Sequence, residues 1–254
     1  MSTWTPCPEP GRVGDSEAHL WLVDLDFVRD RLGHLTSILS DDERNRAGRF
    51  HKRLDAERYA SARASLRCIL GGYLVLEPAS LQFTYNRYGK PRLSEAHSSP
   101  LQFSVSHSAA LCLFGFVLHR EIGVDLEYVR PEVEVADLAA RFFCRREVET
   151  LRSLAGQLQV EAFFRCWTRK EAYLKARGQG LSYGLDRIEV SLRSDEPAAL
   201  ISAADDPEAS RRWTIEHLAP ASGYVGAVAV ADRHLTFKCF TWAPGTLPAL
   251  GARP

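Results

Sequence analysis

Apolar positions fall into short runs separated by longer stretches in which apolar and charged residues mix. The first run, HLWLVDLD (19–26), predicts a strand. Ser40-Asp41-Asp42 reads as a helix cap for the segment ending at Phe50, and a longer helix is predicted from about Asp55 to Leu74, stopping near Leu76-Glu77-Pro78. LQFTYNRYGKPRL (81–93) reads as a strand, a turn at Gly89-Lys90-Pro91 and a short strand, with Lys90 at the tip of the turn. LQFSVSHSAALCLFGFVLHREIGVDLEYV (101–129) predicts a strand, a polar loop, an apolar strand, a tight turn at His119-Arg120-Glu121 and a third strand. Helical periodicity fills 135–177 and ends at Gly178 and Gly180. A second strand-rich region runs from Arg187 to Trp242, between an extended leader (1–18) and a Pro/Gly-rich tail (244–254).

The two halves have the same order: a long helix, a strand, a loop and a hairpin. ALCLFGFVLHREIGVDLE (110–127) and YVGAVAVADRHLTFKCF (224–240) share an apolar strand, a turn containing His and Arg, and a second strand. The spacing is too long for a solenoid repeat and points to a duplication. The expected fold class is α+β, an N-terminal lobe (19–127) facing a C-terminal lobe (128–243). The cleft between them is the natural site.

Composition narrows the field only a little. The 254 residues are 45% apolar and 25% charged, with 32 basic and 32 acidic side chains, so net charge indicates no partner. The six cysteines form no C-x-x-C pair, which argues against a zinc site or a disulfide framework and fits a reducing cytoplasm. MSTWTPCPEPGRVGDSE lacks the basic start and apolar run of a signal peptide, and no run approaches membrane-spanning length.

Five constellations carry chemistry. In Gly123-Val124-Asp125-Leu126-Glu127 the two acids point to one face of a strand. Such a pair is either a wet acidic face or a site bridged by a hard cation such as Mg²⁺. In WTRKEAYLK (167–175), helical geometry places Glu171 within the apolar arc of Val160, Phe163, Phe164, Trp167 and Leu174. A carboxylate there needs a cation, strong donors or a proton, and Lys175 one turn on is one available partner. Residues 44–67 carry Arg44, Arg46, Arg49, Lys52, Arg53, Arg58, Arg63 and Arg67 against Asp55 and Glu57, a concentration that suits an anion. FSVSHS (103–108) offers hydroxyl, imidazole and backbone groups to a phosphate, or is a Ser-rich turn. A Ser-His nucleophile is disfavoured, because neighbours in a strand point apart and no G-x-S-x-G elbow is present. Gly89-Lys90-Pro91 by itself is only a turn.

Together, GKP (89–91), FSVSHS (103–108), IGVDLE (122–127) and WTRKEAYLK (167–175) resemble the 4′-phosphopantetheinyl transferases. That family carries a (I/V)-G-(V/I)-D motif and, about forty residues later, W-(S/C/T)-x-K-E-x-x-x-K. The resemblance covers roughly 19–242 and is nearest to the long, surfactin-synthetase-type group. It implies two similar lobes about a pseudo-twofold axis in one monomeric chain, with the active site between them. It also implies the activity of a holo-[acyl-carrier-protein] synthase, in which the phosphopantetheine arm of coenzyme A moves to a serine of an apo acyl or peptidyl carrier protein and 3′,5′-ADP leaves. By the same resemblance Asp125, Glu127 and Glu171 would bind Mg²⁺. Glu171 would take the serine proton directly or through a bound water, and Lys175 would stabilise phosphate charge and hold Glu171. Ser106 and His107 would contact coenzyme phosphates, Lys90 would lie near the adenosine, and Arg46, Arg49 and Arg58 would help to hold the 3′-phosphate. Lys170 would steer phosphate or carrier. The carrier would dock near 129–165, where RFFCRREVE (141–149) supplies Arg141, Arg145 and Arg146, with one of Phe142 and Phe143 buried and the other nearer the partner.

Two other readings compete. A Mg²⁺-dependent nuclease would use the same acids, but it leaves GKP and SVSHS unexplained and lacks the usual positive excess. A non-catalytic binding module is countered by the full set of Asp125, Glu127, Glu171 and Lys175. No nucleic-acid or membrane partner is expected.

Overall fold

In the computed structural model, which describes residues 3–243 except 8, 32, 34 and 35, the first apolar run is a strand that stops at Asp24. The Asp24 carboxylate accepts the amide hydrogens of Asp26 and Phe27 and turns the chain into a short helix. This is why the strand ends two residues before the predicted limit. The elements of the first half are β1 (Thr5–Pro6), β2 (Glu17–Asp24), α1 (Leu25–Arg29), α2 (Asp41–Ala47), α3 (Arg53–Leu74), the short hairpin β3 (Phe83–Tyr85) and β4 (Pro91–Leu93), β5 (Leu101–Ser108) and β6 (Leu111–Leu118). The second half begins with β7 (Ile122–Tyr128) and continues through α4 (Val135–Phe142), α5 (Arg145–Arg152), α6 (Gln157–Ala176), the short pair β8 (Ile188–Val190) and β9 (Leu200–Ala203), α7 (Ala209–Arg212), β10 (Thr214–Leu218), β11 (Tyr224–Val230) and β12 (Thr236–Trp242). Gly178, at φ +65°, ends the α6 segment in the left-handed region. The Pro/Gly-rich tail lies outside the described residues.

The α+β architecture matches the expectation, but the lobe boundary after Glu127 does not. The order strand, long helix, short hairpin, long hairpin occurs twice, starting at β2 and again at β7. β7 therefore opens the second unit, pairing antiparallel with β11 in a sheet ordered β10-β11-β7. Conversely, β12 leaves the C-terminal half and inserts between β1 and β2, in a sheet ordered β1-β12-β2-β6-β5. Glu127 closes the G-V-D-L-E motif, but the hydrogen bonding that defines the units follows the sheet edges. Part of the leader, Thr5–Pro6, is likewise a strand on β12.

Three cores result. One packs α3 on the five-stranded sheet through Trp21, Phe103, Phe114 and Phe116. One packs α4–α6 on the three-stranded sheet through Phe143, Phe163, Phe164 and Tyr173. The third, with Leu20, Leu113, Val124, Leu126, Val228 and Val230, lies between the sheets and is built from both halves. Val124 and Leu126 thus fill the shared core, and the alternate residues of β7 face α6. Among the described residues no helix is long and apolar enough to cross a membrane.

One polar group is buried at some cost. The Nδ1 of His217 on β10 has no partner, and burial, then the nearby Arg169 and Arg165, push this imidazole down to about 4. The folded pKa lies below the ordinary 6.5, so the unfolded chain binds more protons between the two values. Stability is therefore expected to be full above pH 6.5 and to fall as pH drops towards 4. Denaturation midpoints measured against pH should show a shallower acid loss in His217→Phe; an identical slope would refute this assignment.

Candidate active site

The helix α6 rests directly on β7, and the contact point is Gly123. A Cβ there would overlap the Ala172 carbonyl oxygen and the Ala176 nitrogen, and would come within 2.9 Å of the Ala176 Cα. Only a residue without a side chain lets the helix approach so closely. Two residues on, Asp125 meets this helix. Lys175 Nζ donates to Asp125 Oδ1 at 2.6 Å and to Ser106 Oγ at 2.9 Å. The bland pairing of Glu171 with Lys175 is therefore not what forms: Lys175 reaches across to β7 and β5 instead.

Glu171 is left with a buried Oε1 that has no hydrogen-bond partner, and Asp125 Oδ2 is in the same condition. Burial, followed by the charge of Asp125, pushes the Glu171 carboxyl up to about 7; Lys175 opposes the shift and Glu127 adds to it. Glu127 is also raised, by burial and then by Asp125, while Ser108 donates to its Oε2 at 2.9 Å. Two orphaned acidic oxygens among mutually repelling carboxylates are the donor set a hard cation satisfies. Among the described residues, however, no three His, Cys, Asp or Glu side chains form a ready-made metal cage. Lys175 holds one oxygen of Asp125 and Ser108 turns Glu127 towards β5.

The basic segment sorts itself by ion pairing. Arg63 and Arg67 both bind the buried Glu43, Arg67 at 2.7 Å. Arg58 makes a two-pronged contact with Asp26, Arg53 pairs with Glu57 and Arg44 with Asp41. Among the described residues Arg46 and Arg49 have no acidic partner within 4.0 Å. They line a cavity of about 670 Å³ with Asp42, Asn45, Phe50, Tyr59, Tyr85 and Gly89. Of the three arginines expected at the phosphate, Arg46 and Arg49 face open space, and Arg58 is already satisfied.

Two family models match the chain: "4′-phosphopantetheinyl transferase, N-terminal" over residues 28–115 and "4′-phosphopantetheinyl transferase superfamily" over 121–229. The 4′-phosphopantetheinyl transferase HetI of Nostoc sp. (strain PCC 7120) is 42% identical over 243 residues, spanning 95% of this chain and 96% of the relative. The chain belongs to the 4′-phosphopantetheinyl transferase superfamily. The 4′-phosphopantetheinyl transferase Sfp of Bacillus subtilis (strain 168) is 29% identical over 178 residues, covering 68% of this chain and 75% of that one. The two models meet near β7, where the fold begins its second unit.

In this transferase three residues expected to touch ligand are otherwise engaged. Lys90 is not displayed at a tip. The β3–β4 hairpin folds over the end of α6, and Lys90 Nζ donates to the Ile122 and Ala176 carbonyls at 3.1 and 3.0 Å. Burial, then the charge of Arg92, lowers it to about 8. Lys170, on the buried face of α6, is fully enclosed 2.5 Å from Glu147, with the Leu185 and Ile188 carbonyls as further acceptors. Its ammonium group is enclosed by protein and fully paired there. The hydroxyl of Ser106 is committed to Asp125, Leu126 and Lys175. His107, next in sequence, is exposed; the surrounding protein and then the Lys175 charge push its pKa below the usual value. Phe143 is the buried member of its pair, and Phe142 is half-buried.

Removing one member of a buried ion pair leaves the other uncompensated, so Lys170→Met is expected to destabilise the fold by about 3 kcal/mol. Chemical denaturation would measure this, and a variant as stable as the parent would contradict it. Sequence reasoning missed Glu147, Tyr59, Tyr85 and the role of Ser108. Only the alternation of Ser104, Ser106 and Ser108 on one strand face was a usable signal.

Proposed function

We infer that the protein is a 4′-phosphopantetheinyl transferase that moves the phosphopantetheine arm of coenzyme A to a serine of apo acyl or peptidyl carrier proteins. The observation that carries the site assignment is the pair of buried, unpartnered oxygens, Asp125 Oδ2 and Glu171 Oε1, between the G-V-D strand and the K-E helix. The carrier serine oxygen bonds to the attacked phosphorus, the bond from that phosphorus to the bridging pyrophosphate oxygen breaks, and 3′,5′-ADP departs with the electron pair. Glu171, whose buried Oε1 has no protein partner, takes the serine proton as the general base. Lys175 lies beside Asp125 and meets the charge of the pyrophosphate. Asp125, Glu171 and Glu127 would hold Mg²⁺, which neutralises charge on the pyrophosphate when bound.

Arg46 and Arg49 in the aromatic-lined cavity, with His107, receive the 3′-phosphate end of coenzyme A. Loss of a charged hydrogen bond costs about 1.5–3 kcal/mol, so Arg46→Ala and Arg49→Ala should each raise the KM for coenzyme A by roughly 10- to 100-fold with little change in kcat. A parent-like KM in both variants would move the phosphate elsewhere. Arg145 and Arg146, exposed on α5, offer charge to an acidic carrier. One chain supplies both units, and we place the enzyme in the cytoplasm as a monomer.

The reading is tested by incubating the protein with Mg²⁺, coenzyme A and a panel of apo-carriers. Intact mass should rise by about 340 Da, the phosphopantetheine arm that this metal-assisted transfer delivers. No shift with any carrier would sink the reading, and cleavage of DNA under the same conditions would favour the nuclease.

A further inference from the structure

The strands β5 and β7 edge two different sheets, and neither pairs with the other through its backbone. They are nonetheless joined. Ser104 Oγ accepts the Val124 amide hydrogen at 3.1 Å, Ser106 Oγ that of Leu126 at 3.2 Å, and Ser108 Oγ that of Tyr128 at 3.1 Å. The offset is twenty residues each time, so the strands run parallel, with serine hydroxyls standing where backbone carbonyls would be. Buried amides must find an acceptor, and Ser104 and Ser106 supply it for Val124 and Leu126, with Ser108 continuing the ladder at the exposed Tyr128.

A serine hydroxyl has one hydrogen to donate and two lone pairs. Ser106 uses all three: it accepts from Leu126 and Lys175 and donates to Asp125 Oδ1 at 2.9 Å. Ser108 donates to Glu127 Oε2 at 2.9 Å. Two of the three rungs, Ser106 and Ser108, therefore also turn one acid each of the D-x-E pair. For Asp125 the result is one oxygen committed to Ser106 and Lys175 and the other buried and open. The second unit provides an internal comparison. WTIEHLA (213–219) matches FSVSHSA (103–109) position by position and keeps the histidine, but Ser106 becomes Glu216 and Ser108 becomes Leu218. There β10 pairs with β11 alone.

We propose that Ser106, with Ser108 in support, is a positioning residue: the serine ladder closes the seam between the two sheets and fixes Asp125 so that Oδ2 faces the ligand. This rests on the reading of Asp125 as a ligand-binding acid. Groups that orient a metal-binding carboxylate typically matter 10- to 100-fold in affinity, so Ser106→Ala should weaken Mn²⁺ binding, read by electron paramagnetic resonance, by that factor. It should lower kcat with the KM for coenzyme A unchanged, and it should speed hydrogen exchange at the Leu126 amide. Ser106→Thr keeps the donor and both lone pairs and should restore all three. Parent-like Mn²⁺ affinity and kcat in a folded Ser106→Ala would overturn the proposal, as would failure of Ser106→Thr to restore kcat. If the parent itself takes up no Mn²⁺, the metal reading of the site fails instead. The ladder then stands or falls on kcat and on Leu126 exchange in the same variants.

Discussion

Glu171→Gln should lower turnover on carrier by at least ~10²–10⁴, the range for loss of a general base, while making the metal-free protein more stable at pH 8. Both effects come from one placement. Glutamine keeps the shape but cannot take the serine proton, so mass-resolved transfer rates fall. The stability effect follows from proton linkage. The folded carboxyl titrates near 7, above its ordinary 4.5, so the folded state binds more protons between those values. Its stabilising contribution is complete below pH 4.5 and is lost as pH rises through about 7, where a buried anion faces Asp125 and Glu127. Glutamine never acquires that charge. With a chelator present, the thermal midpoint of Glu171→Gln should exceed that of the parent at pH 8 and match it near pH 4. A parent-like rate would assign the base elsewhere, and a lower midpoint at pH 8 would refute the burial of an uncompensated charge. Improved stability with lost activity is the usual sign of a strained functional site.

Gly123→Ala is the second large effect. Overpacking normally costs about 1–3 kcal/mol because side chains and backbone yield a little. Here the added methyl meets the backbone of α6 at Ala172 and Ala176, which cannot rotate away, so about 3 kcal/mol or more is expected. The helix would have to lift from β7, carrying Glu171 and Lys175 away from Asp125. A displacement of about 1 Å at reacting groups can cost ~10²-fold in rate. The variant should therefore show both a lowered denaturation midpoint and, in whatever remains folded, a fall in kcat. A parent-like midpoint would mean that α6 does not bear on this glycine.

Much of the site was legible along the chain because two periodicities report which way side chains point. Asp125 and Glu127 share a strand face, and Glu171 sits in the apolar arc of its helix; the fold places β7 and α6 so that those faces meet. What periodicity cannot report is which partner a long side chain selects. Lys175 was one turn from Glu171, yet it reaches Asp125 fifty residues away. Lys90 was expected near the adenosine and Lys170 at phosphate or carrier, and each is folded onto carbonyls or a carboxylate. Glu43 lay just outside the basic segment and absorbs two of its arginines.

The sequence by itself determined the α+β class, the order of strands and helices, the buried acid in WTRKEAYLK and the superfamily to which the chain belongs. These depend on local spacing and on residue type. The tertiary structure alone decided that β7 and β12 change sheets, that Arg46 and Arg49 rather than Arg58 face the cavity, and that serines instead of backbone join β5 to β7. These are choices among distant partners, and the choice is made by which donors and acceptors the folded chain leaves unsatisfied.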